Sequence, residues 1–148
     1  MPEYLEIHVD KFTFKIATDR YYTREGVWIL PEGNRVRLGL SDFQQQRSGD
    51  IAFVNIKPPG TILSVNDELA TVETIKVNLD LLSPVTGVIV KVNPDLDATP
   101  EKINQSPYEE GWLCEIETSK WETEKKSLLD AQVYFSLVKQ EAEDIGKK

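Results

Sequence analysis

Lys76 has the surroundings that acylation of an amine requires. It lies in Val72-Glu73-Thr74-Ile75-Lys76-Val77, and Ser83-Pro84-Val85-Thr86-Gly87 follows. One extended apolar segment closes before the lysine, another opens after it, and a Pro/Gly turn comes next. A lone ammonium between two such strands is driven to the tip of a hairpin, because burying it unpaired is costly. A nitrogen presented there can be acylated by a second protein that removes its proton, since free lysine titrates near ~10.4. Solubility alone also places lysines in turns, so the residue by itself leaves an acceptor site and a solvated loop both open. Glu73, three residues earlier, reads either as a recognition carboxylate or as a solvated strand residue. Gly87, eleven residues later, is expected to permit the backbone turn after Pro84.

Other reactive side chains are sparse. Cys114 is the single cysteine and His8 the single histidine. No intrachain disulfide can form, and no soft-metal cluster or Cys/His nucleophilic pair can be assembled from them. Cys114 alternates within Trp112-Leu113-Cys114-Glu115-Ile116, which reads as a half-buried strand holding a small packed side chain. The expectation is a protein that is not an enzyme and has no metal site.

The elements that must position Lys76 are short strands. Apolar runs and alternations occupy residues 12–16, 27–30, 35–38, 51–56, 61–65, 68–74, 79–82, 88–92 and 112–117, with a turn over 31–34. This density predicts a mainly β core, a sandwich or flattened barrel. An internal echo adds symmetry. Gly60-Thr61-Ile62-Leu63-Ser64-Val65-Asn66 returns 27 residues later as Gly87-Val88-Ile89-Val90-Lys91-Val92-Asn93, identical at four of seven places. One copy precedes Lys76 and the other follows it, as two quasi-symmetric halves joined at a hairpin require.

Helices interrupt the strands. Ser41-Asp42-Phe43-Gln44 fits a capping box, opening a short helix that stops before Ser48-Gly49. Thr99-Pro100-Glu101 predicts a capping residue with proline at the first helical position, starting a brief helix through Asn104. Leu128, Ala131, Tyr134, Phe135, Val138, Ala142 and Ile145 recur at three- and four-residue steps, a C-terminal helix over about 128–146 that begins near Ser127 or Asp130. It is expected to pack on the β core; a partner-binding helix is the other reading.

Composition bounds the rest. A chain of 148 residues, 40% hydrophobic and 28% charged, has the size and make-up of one globular domain, 1–148. No apolar run reaches the length of a bilayer span. The first residues carry acids and no basic leader pattern, so a cytoplasmic location is expected. With 17 basic against 25 acidic residues the net charge is −8, which disfavours nucleic acid as a partner.

Around Lys76 the spacing of Glu73, Pro84 and Gly87 resembles the modification site of lipoyl-carrier domains. Five further blocks extend the resemblance over about 100 residues: Tyr22-Thr23-Arg24-Glu25-Gly26-Val27-Trp28, Leu38-Gly39-Leu40-Ser41-Asp42-Phe43, Gly49-Asp50-Ile51-Ala52-Phe53-Val54, Asn104-Gln105-Ser106-Pro107-Tyr108 and Gly111-Trp112-Leu113. Their order is that of glycine cleavage system H proteins. The resemblance implies a lipoyl-domain-like hammerhead fold and lipoate amide-linked to Lys76. It also implies recognition by a lipoate-protein ligase or lipoyl transferase through Glu73 and Gly87. Its implied function is to shuttle an aminomethyl group between glycine decarboxylase, aminomethyltransferase and dihydrolipoyl dehydrogenase, as a monomer.

Departures are local. Gly26-Val27 precede Trp28 where the family usually has His-Glu, an imidazole near the lipoyl arm. Val77 follows the lysine where alanine is usual, Gln44-Gln45-Gln46-Arg47 replaces a helix that usually bears alanine, and residues 1–20 form an N-terminal extension. They fit a second resemblance, to the lipoate-binding proteins of sulfur oxidation, which implies delivery of sulfur to a heterodisulfide-reductase-like complex. Glycine cleavage leads on overall motif agreement. An unmodified structural β-module is the reading from another class.

Overall fold

The structure is a computed structural model that describes residues 3–146; Met1, Pro2, Lys147 and Lys148, the outermost residues of the expected domain, lie outside the described residues. Period-two alternation yields an antiparallel hairpin first, β1 (Tyr4–Val9) with β2 (Phe12–Ala17), in register from Tyr4 opposite Ala17 to Val9 opposite Phe12. Next come β3 (Tyr21–Tyr22), β4 (Val27–Glu32), β5 (Arg35–Leu40), α1 (Asp42–Ser48) and β6 (Ile51–Ile56). The middle of the chain gives β7 (Ile62–Leu63), β8 (Glu68–Thr74), β9 (Asn78–Leu82) and β10 (Gly87–Val92). Last are α2 (Lys102–Gln105), β11 (Cys114–Thr118), α3 (Trp121–Glu124) and α4 (Ala131–Gly146).

Two sheets face a shared core, as a β-sandwich demands. One has six strands in the order β3-β4-β5-β11-β10-β7, the other three in the order β6-β8-β9. Ile29, Val36, Leu38 and Ile116 from the first meet Val54, Leu69, Val72 and Leu81 from the second. A second cluster lies outside this sandwich, where Ile7, Phe14 and Ile16 of the β1–β2 hairpin pack with Trp28, Phe43, Tyr108 and the Tyr134 face of α4. Thus α4 covers the hairpin and β3, with Tyr134 stacked on Tyr22 at 4.3 Å. Trp28 Nε1 donates to Pro107 O at 2.9 Å, which ties an early block of the chain to a late one.

The two copies of the echo lie side by side. β7 pairs antiparallel with β10, Leu63 opposite Gly87 and Ile62 opposite Val88. Their environments differ: Ile89 is buried within the sheet, whereas Ile62, on an edge strand, is 79% exposed.

Several local expectations need correction. β1 and β3 are absent from the expected strands: in β1 Leu5, Ile7 and Val9 alternate with Glu6 and His8, a readable signal that sequence reading missed, whereas β3 has only two residues and offers none. Pro31 and Glu32 continue β4 instead of turning, since both pair with β5. Ser41 caps α1, its Oγ accepting from Gln44 N at 3.2 Å. The reciprocal half of a capping box is absent, because Ser41 N donates to Gly26 O and Gln44 donates to Ser48. Thr99 does not cap α2. Its hydroxyl donates to Asp95 O at 2.8 Å, and the helix starts at Lys102 without a side-chain cap. Asp130 does cap α4, its Oδ1 accepting from Val133 N at 2.8 Å.

Gly87 is also placed for a different reason than expected. It opens β10, and a Cβ there would lie 2.1 Å from Glu117 O and 2.7 Å from Ile116 Cγ2. Close approach of β11 therefore demands glycine; the turn around Pro84 does not.

Candidate functional site

β8 and β9 run antiparallel with Val72 opposite Leu79 and Glu73 opposite Asn78, which leaves Thr74 to Val77 as the connection. Thr74 closes it. Its Oγ1 accepts from Lys76 N at 3.1 Å and Val77 N at 2.9 Å, and donates to Val77 O at 2.9 Å. Thr74 N donates to the same carbonyl at 2.9 Å. The Lys76 and Val77 amides are thus satisfied from within the loop, which leaves its side chains free to project. Ile75 is 74% and Val77 46% exposed, and Lys76 between them is exposed as well.

This tip rests on a second loop. Ile75 N approaches Asp50 O at 3.4 Å, and the Cδ and Cε atoms of Lys76 pass 3.6 Å from where a Cβ on Gly49 would lie. Asn104, from α2, holds that second loop in place. Its Oδ1 accepts from Ile51 N at 2.9 Å, while Nδ2 donates to Gly49 O at 3.1 Å and to Gln45 Oε1 at 2.9 Å. Sequence reading missed Thr74, Asp50 and Asn104 as positioning groups. The threonine was visible as a turn residue beside the lysine; the asparagine, far along the chain, was not.

Among the described residues Lys76 takes part in no ion pair. Glu73 is exposed on β8, three residues from the amine and opposite Phe53 of β6. Gly87, buried at the start of β10, lies opposite Thr118 of β11 and Leu63 of β7 in the six-stranded sheet, apart from the lysine hairpin of the other sheet. Cys114 is fully buried, and burial pushes its thiol up to about 12, so it is inert in the folded protein. Glu115 breaks the expected alternation by being buried too. Arg37 Nη2 pairs with it at 2.7 Å, and Arg37 stacks on Trp112 at 4.4 Å. No cluster of three His, Cys, Asp or Glu able to hold a metal occurs among the described residues.

At Gly26, where an imidazole is usual in the resembled family, the φ angle is +87° and an added Cβ would lie 2.8 Å from Gln44 Cβ. The place is filled from α1 instead. Gln44 Oε1 accepts from Arg47 Nη2 at 2.7 Å.

Known proteins are similar to this chain over most of its length. Residues 20–141 match the family Glycine cleavage H-protein. The chain belongs to the glycine cleavage H-protein family. A relative from Thermus thermophilus, Glycine cleavage system H protein, is 38% identical over 127 residues, covering 86% of this chain and 98% of that protein. One of the same name from Prosthecochloris aestuarii is 43% identical over 125 residues, 83% of this chain and 97% of the other. The crystal structure of a glycine cleavage system H protein from Mycobacterium marinum superposes with a TM-score of 0.72 at 30% identity, over 82% of this chain and 97% of that one.

Membership makes this H-protein relative a lipoate-carrying component of glycine cleavage and not a catalyst. The family's cofactor is lipoate joined covalently to a lysine, and its partners are the glycine cleavage enzymes. The sulfur-carrier alternative is not favoured by these relatives. No helix among the described residues is long and apolar enough to cross a membrane.

Proposed function

We propose that Lys76 is the lysine that carries lipoate, and that the chain works as one carrier domain, a cytoplasmic monomer. The observation that supports this reading most is an exposed amine, outside any ion pair among the described residues, on a hairpin tip whose backbone Thr74 closes. A primary amine in that setting fits amide formation with a carboxylic acid. Its neutral nitrogen attacks an activated acyl carbon, the C–N bond forms, the activating group leaves, and a ligase base takes the ammonium proton. When bound, lipoate supplies a dithiol–disulfide couple that accepts and passes on an aminomethyl unit. This chain's residues hold the attachment point, keep its backbone rigid and leave the surface around it approachable.

In this reading a lipoate-protein ligase or lipoyl transferase reads Glu73 beside the amine. Gly87, on the six-stranded sheet and outside the hairpin, is the second recognition position in this reading. The enzymes served are glycine decarboxylase, aminomethyltransferase and dihydrolipoyl dehydrogenase. Incubation with a lipoate ligase, lipoate and ATP tests the acceptor. Intact mass should rise by one lipoyl group, peptide mapping should place it on Lys76, and Lys76→Arg should gain none. The lipoylated protein should then support glycine–bicarbonate exchange by glycine decarboxylase; failure there refutes the assignment to glycine cleavage.

A further inference from the structure

The β1–β2 hairpin lies outside residues 20–141, the span shared with the family, and it stands beside the lysine tip. Val9, Asp10, Phe12 and Phe14 of the hairpin, with Ala142 and Ile145 of α4, form most of a recess of ≈ 360 Å³ that has Lys76 on its lining. That volume is near the lower end of the roughly 300–1,000 Å³ of small-molecule sites and leaves room for little more than one large side chain. Phe12 is 48% and Ile145 51% exposed at the mouth, and Ile75, 74% exposed, projects from the neighbouring tip. These groups make an apolar strip continuous with the lysine, on a face that an enzyme acting on the lysine-borne group must approach.

The occupant's tip must be apolar. Phe14 meets Phe43 edge-on at 5.0 Å and Phe12 stacks on Phe14 at 6.1 Å, giving an aromatic floor. Polar groups at the rim are already engaged: Gln46 Nε2 donates to Thr13 O at 3.0 Å, and Arg47 donates to Glu141 Oε2 at 3.1 Å and Gln44 Oε1 at 2.7 Å. The occupant's flanks must be basic. Asp10 in the hairpin turn, Asp50 under the lysine tip and Glu73 on β8 are exposed, and they take part in no ion pair among the described residues. Amide formation at Lys76 then removes an ammonium from this neighbourhood, in a chain already at −8. A ligase meets Lys76 while it is still charged, and aminomethyltransferase meets an arm whose aminomethyl nitrogen is protonated. Glycine decarboxylase meets a neutral amide and a neutral disulfide, the state in which these acids are least compensated and a basic partner gains most.

The walls are preformed. Lys15 N donates to Asp42 Oδ2 at 2.9 Å and Tyr108 Oη donates to Lys15 O at 2.7 Å, locking the hairpin to the body, while the Arg47–Glu141 pair locks α1 to α4. A notch held in this way loses little freedom when a partner's side chain enters it. We infer that the recess between the β1–β2 hairpin and the end of α4 docks glycine decarboxylase, which seats there one protruding apolar side chain flanked by Lys or Arg. This docking presupposes the carrier function proposed above and adds the surface that the decarboxylase reads. Because the hairpin lies outside the shared span, the contact matches this carrier to its own decarboxylase.

Wild type, Phe12→Ser, Ile145→Ser and Ile62→Ser are lipoylated, confirmed by intact mass, and compared in glycine–bicarbonate exchange with glycine decarboxylase of the same organism. The three substitutions alter exposed side chains and should leave lipoylation and the unfolding midpoint unchanged. Phe12→Ser and Ile145→Ser should raise the KM for the carrier several-fold with kcat unchanged, whereas Ile62→Ser, on edge strand β7 and outside the recess, should not. Bound decarboxylase should slow hydrogen exchange over residues 9–12. A KM unchanged in both recess variants, raised equally in Ile62→Ser, or raised only towards aminomethyltransferase or dihydrolipoyl dehydrogenase overturns the inference. So does protection confined to residues 49–80. Fully lipoylated wild type that supports no exchange removes the assignment to glycine cleavage, and absence of any lipoyl mass removes the acceptor. Either result takes this docking with it, and mass and exchange together tell the three failures apart.

Discussion

Thr74 is the residue on which presentation of Lys76 depends. It contributes three side-chain hydrogen bonds to a four-residue connection, two accepted and one donated. Thr74→Val keeps the β-branched shape and removes all three. We expect a loss of about 1 kcal/mol, as for exposed neutral hydrogen bonds, and a several-fold lower kcat/KM for lipoylation with total mass gain at saturation unchanged. Unaltered lipoylation kinetics would show that the ligase orders the loop itself. The threonine was readable beside the lysine, since turn chemistry is local. Gly87 was not readable for its true reason, because the atom that excludes a side chain there, Glu117 O, belongs to a strand thirty residues onward.

At the scale of elements, the lysine hairpin is only as steady as the loop beneath it. Asn104 spans from α2 to both sides of Asp50, satisfying Ile51 N and Gly49 O. Asn104→Ala leaves the Ile51 amide without its acceptor, at a cost of about 1–3 kcal/mol. Denaturant unfolding should report that loss, and hydrogen exchange at the Ile51 and Ile75 amides should accelerate more than at Val72. Uniform acceleration would instead mark a global effect with no special link to the tip. Strand positions from 51 to 92 were largely legible, because period-two burial and turn residues act over a few neighbours. The start of α2 was misread: a threonine before proline looks like a cap, yet the preceding turn claims its hydroxyl through Asp95 O.

The molecule as a whole buries several acids that ordinarily ionise at alkaline pH. Burial raises the thiol of Cys114 from 9.0 to about 12 and the phenol of Tyr134 from 10.0 to about 12, and it raises Tyr22 and Tyr108 as well. Below the unfolded values both states keep these protons, so the folded state retains its full contribution. Above them the unfolded chain releases protons that the folded chain holds, and stability falls as pH rises through this window. The melting temperature should decline progressively from about pH 9 upward. Cys114→Ala should lessen the early part of that decline, and a curve identical to wild type would remove the thiol from the account. Over the same range the thiol should resist alkylation until the chain unfolds.

The sequence by itself determined where a lysine would be exposed between two strands, which short stretches would alternate, that Ser41 would begin a helix, and that another would start near Ser127 or Asp130. Each of those outcomes depends on backbone preference and on neighbours a few residues away. Tertiary structure alone decided that Asn104 would brace the lysine's loop, that Arg37 would allow Glu115 to be buried, and that the chain's two ends would wall a recess beside Lys76. Those features need groups far apart in the chain to meet, and packing, not local pattern, determines which of them do.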